Sequence, residues 1–164
     1  MKTFFRTIQR ACRWGLSLSA FLVALDVAPS AWAALGDDVS AIATDQARMK
    51  ASLQVFQRKS FAIHEMGLPT GTTLRQYVSD AGKVFAVSWS GGFRPNLRDV
   101  MGVHYDRYIA GTRGRRVARG PVRIELPGMV VVMGGRGRNF FGHVYLTDLL
   151  PTDFDTGEMR PVAP

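Results

Sequence analysis

The pattern of apolar and polar positions reads most readily between Thr72 and Trp89, where two runs rich in β-branched and aromatic residues flank Asp80-Ala81-Gly82. Such runs around a short polar break, with a glycine free to take a positive φ, predict an antiparallel hairpin. Alternation assigns Leu74 and Val78 to the apolar face of the first arm, and Phe85, Val87 and Trp89 to that of the second. A lone hairpin is marginal in water, so this face needs a cover from the rest of the chain.

Upstream, Asp37 or Asp38 can cap a helix whose apolar positions Val39, Ile42, Met49 and Leu53 recur at helical spacing. Asp45, Arg48 and Lys50 are read as lying off that stripe, and Gln46 interrupts it. A short strand at residues 53–58 and a firmer one at 61–68 follow, and the turn Pro69-Thr70-Gly71 leads into the hairpin. Downstream, Asn96 and Asp99 have the spacing of a capping box. Leu97, Val100, Met101, His104, Tyr105, Tyr108 and Ile109 then share one face of a helix predicted over residues 96–110 and ended by Gly111 and Gly114. Strands are predicted at residues 121–126, 129–133 and 139–146, the last with Phe140, Val144 and Leu146 on one face and Phe141, His143 and Tyr145 on the other. Together these predict one α+β domain over residues 34–151, an antiparallel sheet of about six strands in a meander with two amphipathic helices packed on one face. Residues 152–164, polar and containing proline, are expected to form a loose tail.

The first 33 residues fit none of this. Lys2, Arg6, Arg10 and Arg13 precede an apolar run at 14–25, and Ala31-Trp32-Ala33 has the small-x-small pattern of a cleavage site, so a cleavable export signal is expected there. The apolar run is shorter than the roughly 20 residues of a membrane-spanning helix, and no later run is long enough to span. Cys12, the only cysteine, would leave with the signal, and the exported chain would then have neither disulfides nor thiolate chemistry. It would keep 17 basic residues against 12 acidic ones.

Several blocks carry a resemblance: Ala34-Leu35-Gly36, Ile63-His64-Glu65, Leu68-Pro69-Thr70-Gly71-Thr72, Arg75-Gln76-Tyr77-Val78-Ser79, residues 82–89, Tyr105-Asp106-Arg107-Tyr108 and residues 140–146. With these the chain resembles a bacterial family of small exported proteins catalogued as a domain of unknown function. In that family Glu often stands where this chain has Gln76, and Arg where it has His143. The resemblance implies export and one compact domain, and it transfers no activity.

Candidate chemistry is sparse. His64, His104 and His143 offer imidazoles for a metal or for acid–base work, yet their spacing matches no metal or hydrolase motif. His104 on an apolar helical face reads more simply as a core histidine. The glycines at 134, 135 and 137 precede no helix, so they suggest a hairpin turn rather than a phosphate cradle. No cofactor motif is present. The feature with a handle on a partner is the run Arg113, Arg115, Arg116, Arg119, Arg123, Arg136 and Arg138, opposed only by Glu125, although its plainer reading is a solvated basic loop facing the C-terminal dipole of the second helix. Outside the cytoplasm such a cluster would meet an acidic protein, an anionic lipid or an acidic polysaccharide. Nucleic acid suits the charge and not the setting. The sequence therefore predicts an exported, non-enzymatic accessory module binding an envelope protein or an anionic envelope component. The alternatives are a small hydrolytic or metal-dependent enzyme built on the histidines, and a structural envelope protein with no discrete ligand.

Overall fold

The computed structural model describes residues 34–114 and 120–159; the expected export signal lies outside them. In chain order the elements are α1 (Ser40–Met49), β1 (Ser52–Gln57), β2 (Phe61–Gly67), β3 (Thr72–Ser79), β4 (Val84–Gly91), α2 (Leu97–Met101), α3 (Tyr105–Thr112), β5 (Val122–Leu126), β6 (Met129–Arg136) and β7 (Asn139–Leu146). The strands form one antiparallel sheet of seven, in the order β1-β2-β3-β4-β7-β6-β5. Seven strands replace the expected six, and the path is not one meander. After β4 the helical segment carries the chain to the far edge, β5 begins there, and β7 returns to pair with β4.

Because cross-strand partners share a face, the register writes each layer as rows running across the sheet. One row of the first face reads Leu53, Met66, Leu74, Trp89, Gly142, Met133 and Val122, and the next Val55, His64, Gln76, Val87, Val144, Val131 and Ile124. Ile42 of α1, Val100 and Met101 of α2 and Tyr108 of α3 join these rows in one buried cluster. The second face carries Phe61, Ile63, Tyr77, Phe85, Ala86, Val130 and Tyr145.

Phe85 is displaced from its expected face. Val78 pairs with Val84 while its neighbour Tyr77 pairs with Ala86, so Phe85 is the extra residue of a β-bulge. A bulge shifts the parity of the strand by one, placing Val84 in the first cluster and Phe85 in the second.

The helices also differ from expectation. Lys50, at φ 50°, ends α1 before Leu53, which joins β1. Asn96 does cap α2, its side-chain oxygen accepting from the Arg98 amide at 3.1 Å, but the expected second helix is divided by a 3-10 turn at Gly102–His104. Gly102 has φ 52°, and a Cβ there would sit 2.5 Å from the Ala34 Cβ. Only glycine allows residues 34 and 35 to pass so close, and this passage buries Leu35, whose amide donates to the Val100 carbonyl at 3.1 Å.

The described part of the expected tail is docked rather than loose. Phe154 stands edge-on to Phe61, Tyr77 and Phe85 at ring separations of 5.1, 5.5 and 4.9 Å, and Met159 is buried beside them. The bulged strand exposes an aromatic floor on the second face, and these C-terminal side chains cover it.

Candidate functional site

Strand β5 is shorter than β6: its first residue Val122 faces Met133, so residues 134–136 pair only with β7. At this open edge, beside the end of α3, lies a cleft of about 750 Å³. Its walls are Tyr108, Pro121, Val122, Ile124, Met133 and Phe141, with Arg94, Thr112, Arg136 and Asn139 as polar groups. Arg136 ends β6 and pairs in register with Asn139 across the turn. Arg94 arrives from another part of the chain: Gly91 of β4 lies opposite Phe140, and the loop beyond it sets the Arg94 guanidinium 5.5 Å over the Phe140 ring.

Among the described residues no carboxylate lines the cleft, and neither Arg94 nor Arg136 is in an ion pair. Tyr108 donates its hydroxyl to Met133 Sδ at 3.7 Å; burial raises its pKa, with Arg94 opposing, so the phenol stays protonated. Two guanidinium forks on an apolar-walled recess suit an anion with an apolar body, because the fork matches carboxylate or phosphate oxygens pairwise. Among the described residues the lining holds no histidine, serine or carboxylate.

The expected arginine cluster is only partly gathered here. Arg136 lines the cleft, Arg138 stands 5.8 Å over Phe93 beside it, and Arg113 is exposed just past α3. Arg123 departs: its row continues through Val132 to His143 and Ser88 on the second face, and its Nε donates to Glu125 at 2.7 Å. Arg115, Arg116 and Arg119 lie outside the described residues. Arg94 was not among the expected residues. Nothing local marks it, since its place depends on the β4–β7 register.

The three histidines are not brought together. His64 is on the first face next to Gln76 and His143 on the second, its ring stacked 6.2 Å from Tyr145, so the sheet separates them. His104 sits in the 3-10 turn and accepts from Arg107 Nη2 at 2.6 Å through Nδ1. Burial lowers the pKa of His64 and of His104, the latter helped by Arg107. Among the described residues no three His, Cys, Asp or Glu side chains are placed to hold a metal.

A second, smaller cavity of about 190 Å³ lies between α1, β3, β4 and α2, lined by Asp45, Met49, Leu74, Gln76, Asp99 and Val100 among others. Asp45, read from the sequence as off the apolar stripe, is 1% exposed and accepts from Arg48 at 3.1 Å. The signal was present: Ile42, Asp45 and Met49 are three and four residues apart, which puts the carboxylate on the buried stripe. Burial also raises the pKa of Asp99. The ion pair lies within α1 and partners the carboxylate where the helix packs on the sheet, in a seam that Gln76, Asn96 and Asp99 also line.

No helix among the described residues is long and apolar enough to cross a membrane. No curated protein and no solved structure matches the chain. Residues 31–159, which hold every element of the sheet and its cover, match the family described as Protein of unknown function (DUF2844), and the chain belongs to that family.

Proposed function

We propose that this protein is an exported, non-enzymatic binding module that takes an anionic ligand with an apolar body, of the kind an acidic phospholipid presents, in the cleft between α3 and the β6–β7 end. One observation carries the reading: Arg94 and Arg136, remote in sequence, line the same apolar-walled cleft with, among the described residues, no carboxylate beside them. A volume of about 750 Å³ falls within the range of small-molecule sites. The basic and apolar pattern of the first 33 residues supports export, which places such anions within reach.

The test is retention on vesicles of phosphatidylglycerol against vesicles of phosphatidylcholine, for the wild type and for Arg94→Gln, Arg136→Gln and the double variant. A hydrogen bond to a charged group contributes about 1.5–3 kcal/mol, so each substitution should weaken retention at least about tenfold. Both arginines are exposed, so the thermal midpoint should hardly move. Full retention of the double variant would refute the reading. Equal retention on both vesicle types would refute the anionic ligand.

A further inference from the structure

Among the described residues β1 forms one edge of the sheet and pairs only with β2, so one side of its backbone has no strand partner there. Proteins blunt such edges with charge, proline or a bulge. β1 has none of these. Ser52–Gln57 reads Ser-Leu-Gln-Val-Phe-Gln and keeps an unbroken register with β2. Val55 and Phe56, on opposite faces, are 47% and 39% exposed, and beside Phe56 a cavity of about 290 Å³ opens over Ile63 and Tyr77, walled also by Arg58, Glu65, Arg75 and Glu158. Cations stand at both ends: Lys50 before the strand, Arg58 and Lys59 after it, all exposed and, among the described residues, none in an ion pair.

We propose that β1 is an acceptor for strand addition, and that its occupant is an extended segment of a separate protein with acidic ends and apolar residues at alternate positions. Main-chain hydrogen bonds along the free edge supply the affinity, and apolar side chains laid against the exposed Val55 and Phe56 supply the selectivity. Charge decides against a second copy of this chain. Antiparallel self-pairing centred on β1 brings the Lys50 end of one copy to the Arg58 and Lys59 end of the other, so like charges gather at both ends of the joint ladder. A segment with acidic ends meets the same cations with the opposite sign.

The experiment uses the protein spanning residues 34–164, which contains every core residue described, and two synthetic peptides of alternating valine and threonine, one ended by glutamates and one by lysines. The glutamate-ended peptide is expected to bind at least about tenfold more tightly, a difference of about 1.4 kcal/mol. It should slow amide exchange at Ser52–Gln57. Val55→Asp should abolish this binding at an unchanged thermal midpoint. Replacing Lys50, Arg58 and Lys59 together by Gln should bring the two peptides to equal affinity. The Arg94→Gln/Arg136→Gln variant should bind the peptide as the wild type does, which separates this edge from the cleft. Equal affinity of both peptides for the wild type, protection away from β1, or a dimer that protects β1 without peptide would each overturn the proposal.

Discussion

Replacing Gly142 by Ala tests whether the first-face row through Trp89 is packed as described. Gly142 lies between Trp89 and Met133 in register, and a Cβ there would stand 2.3 Å from Trp89 Cζ2, 2.7 Å from Cε2 and 2.8 Å from the Val132 carbonyl oxygen. The indole is 3% exposed and the carbonyl belongs to the ladder, so neither can withdraw cheaply. Overpacking of this kind costs about 1–3 kcal/mol, and a rigid ring with backbone beside it argues for the upper end. Replacing a strand glycine returns about 0.5–1 kcal/mol of chain entropy, leaving a net loss of about 2 kcal/mol. For a domain of this size that is a fall of about 8 °C in thermal midpoint, readable by circular dichroism. Trp89→Phe shrinks the obstacle, so the Ala substitution should cost at least about 1 kcal/mol less in that background. A Gly142→Ala protein as stable as the wild type, or effects that add without coupling, would refute the packing argument.

Gly111→Ala offers a contrast: the new Cβ would meet only the tip of Leu126, 2.3 Å from Cδ2, while α3 gains about 1 kcal/mol in helix propensity, so urea denaturation should show a net change within about 1 kcal/mol of zero. Phe154→Ala should lower stability by about 2 kcal/mol in the same assay, since it uncovers the rings of Phe61, Tyr77 and Phe85; an unchanged midpoint would restore the loose tail. The depressed pKa values of His64 and His104 make stability complete above about pH 6.5 and progressively lost below it, because the unfolded chain takes up protons first. A His64→Gln/His104→Gln variant should lose less of its thermal midpoint than the wild type between about pH 7.5 and about pH 5.5, and an equal loss would remove the histidines as the cause.

The elements of the fold were legible because each rests on a local rule. Alternation located the central hairpin, and Asn96 marked the start of a helix through its cap. What stayed hidden depends on partners distant in the chain. The bulge at Phe85 leaves no compositional trace, since either parity of the segment puts large apolar side chains on both faces. Phe154 and Met159 are isolated apolar residues in a polar stretch, and only the aromatic floor beneath them shows that they are anchors. The candidate cleft was half visible: Arg136 belongs to an evident run of cations, whereas Arg94 comes beside it through a strand pairing made across the whole helical segment. Asp45 was misplaced by its polarity, although its spacing from Ile42 and Met49 was correct for burial.

That strand pairing also has a kinetic consequence. β1 to β4 and β5 to β7 each close through short turns, but the ladder joining residues 86–91 to 140–145 must bring together stretches separated by α2, α3 and two further strands. The entropy of closing so long a loop is lost before its contacts form, so this ladder sets the folding rate. Weakening Val87 or Val144 should therefore slow folding, whereas weakening the outer strand β1 should mainly quicken unfolding.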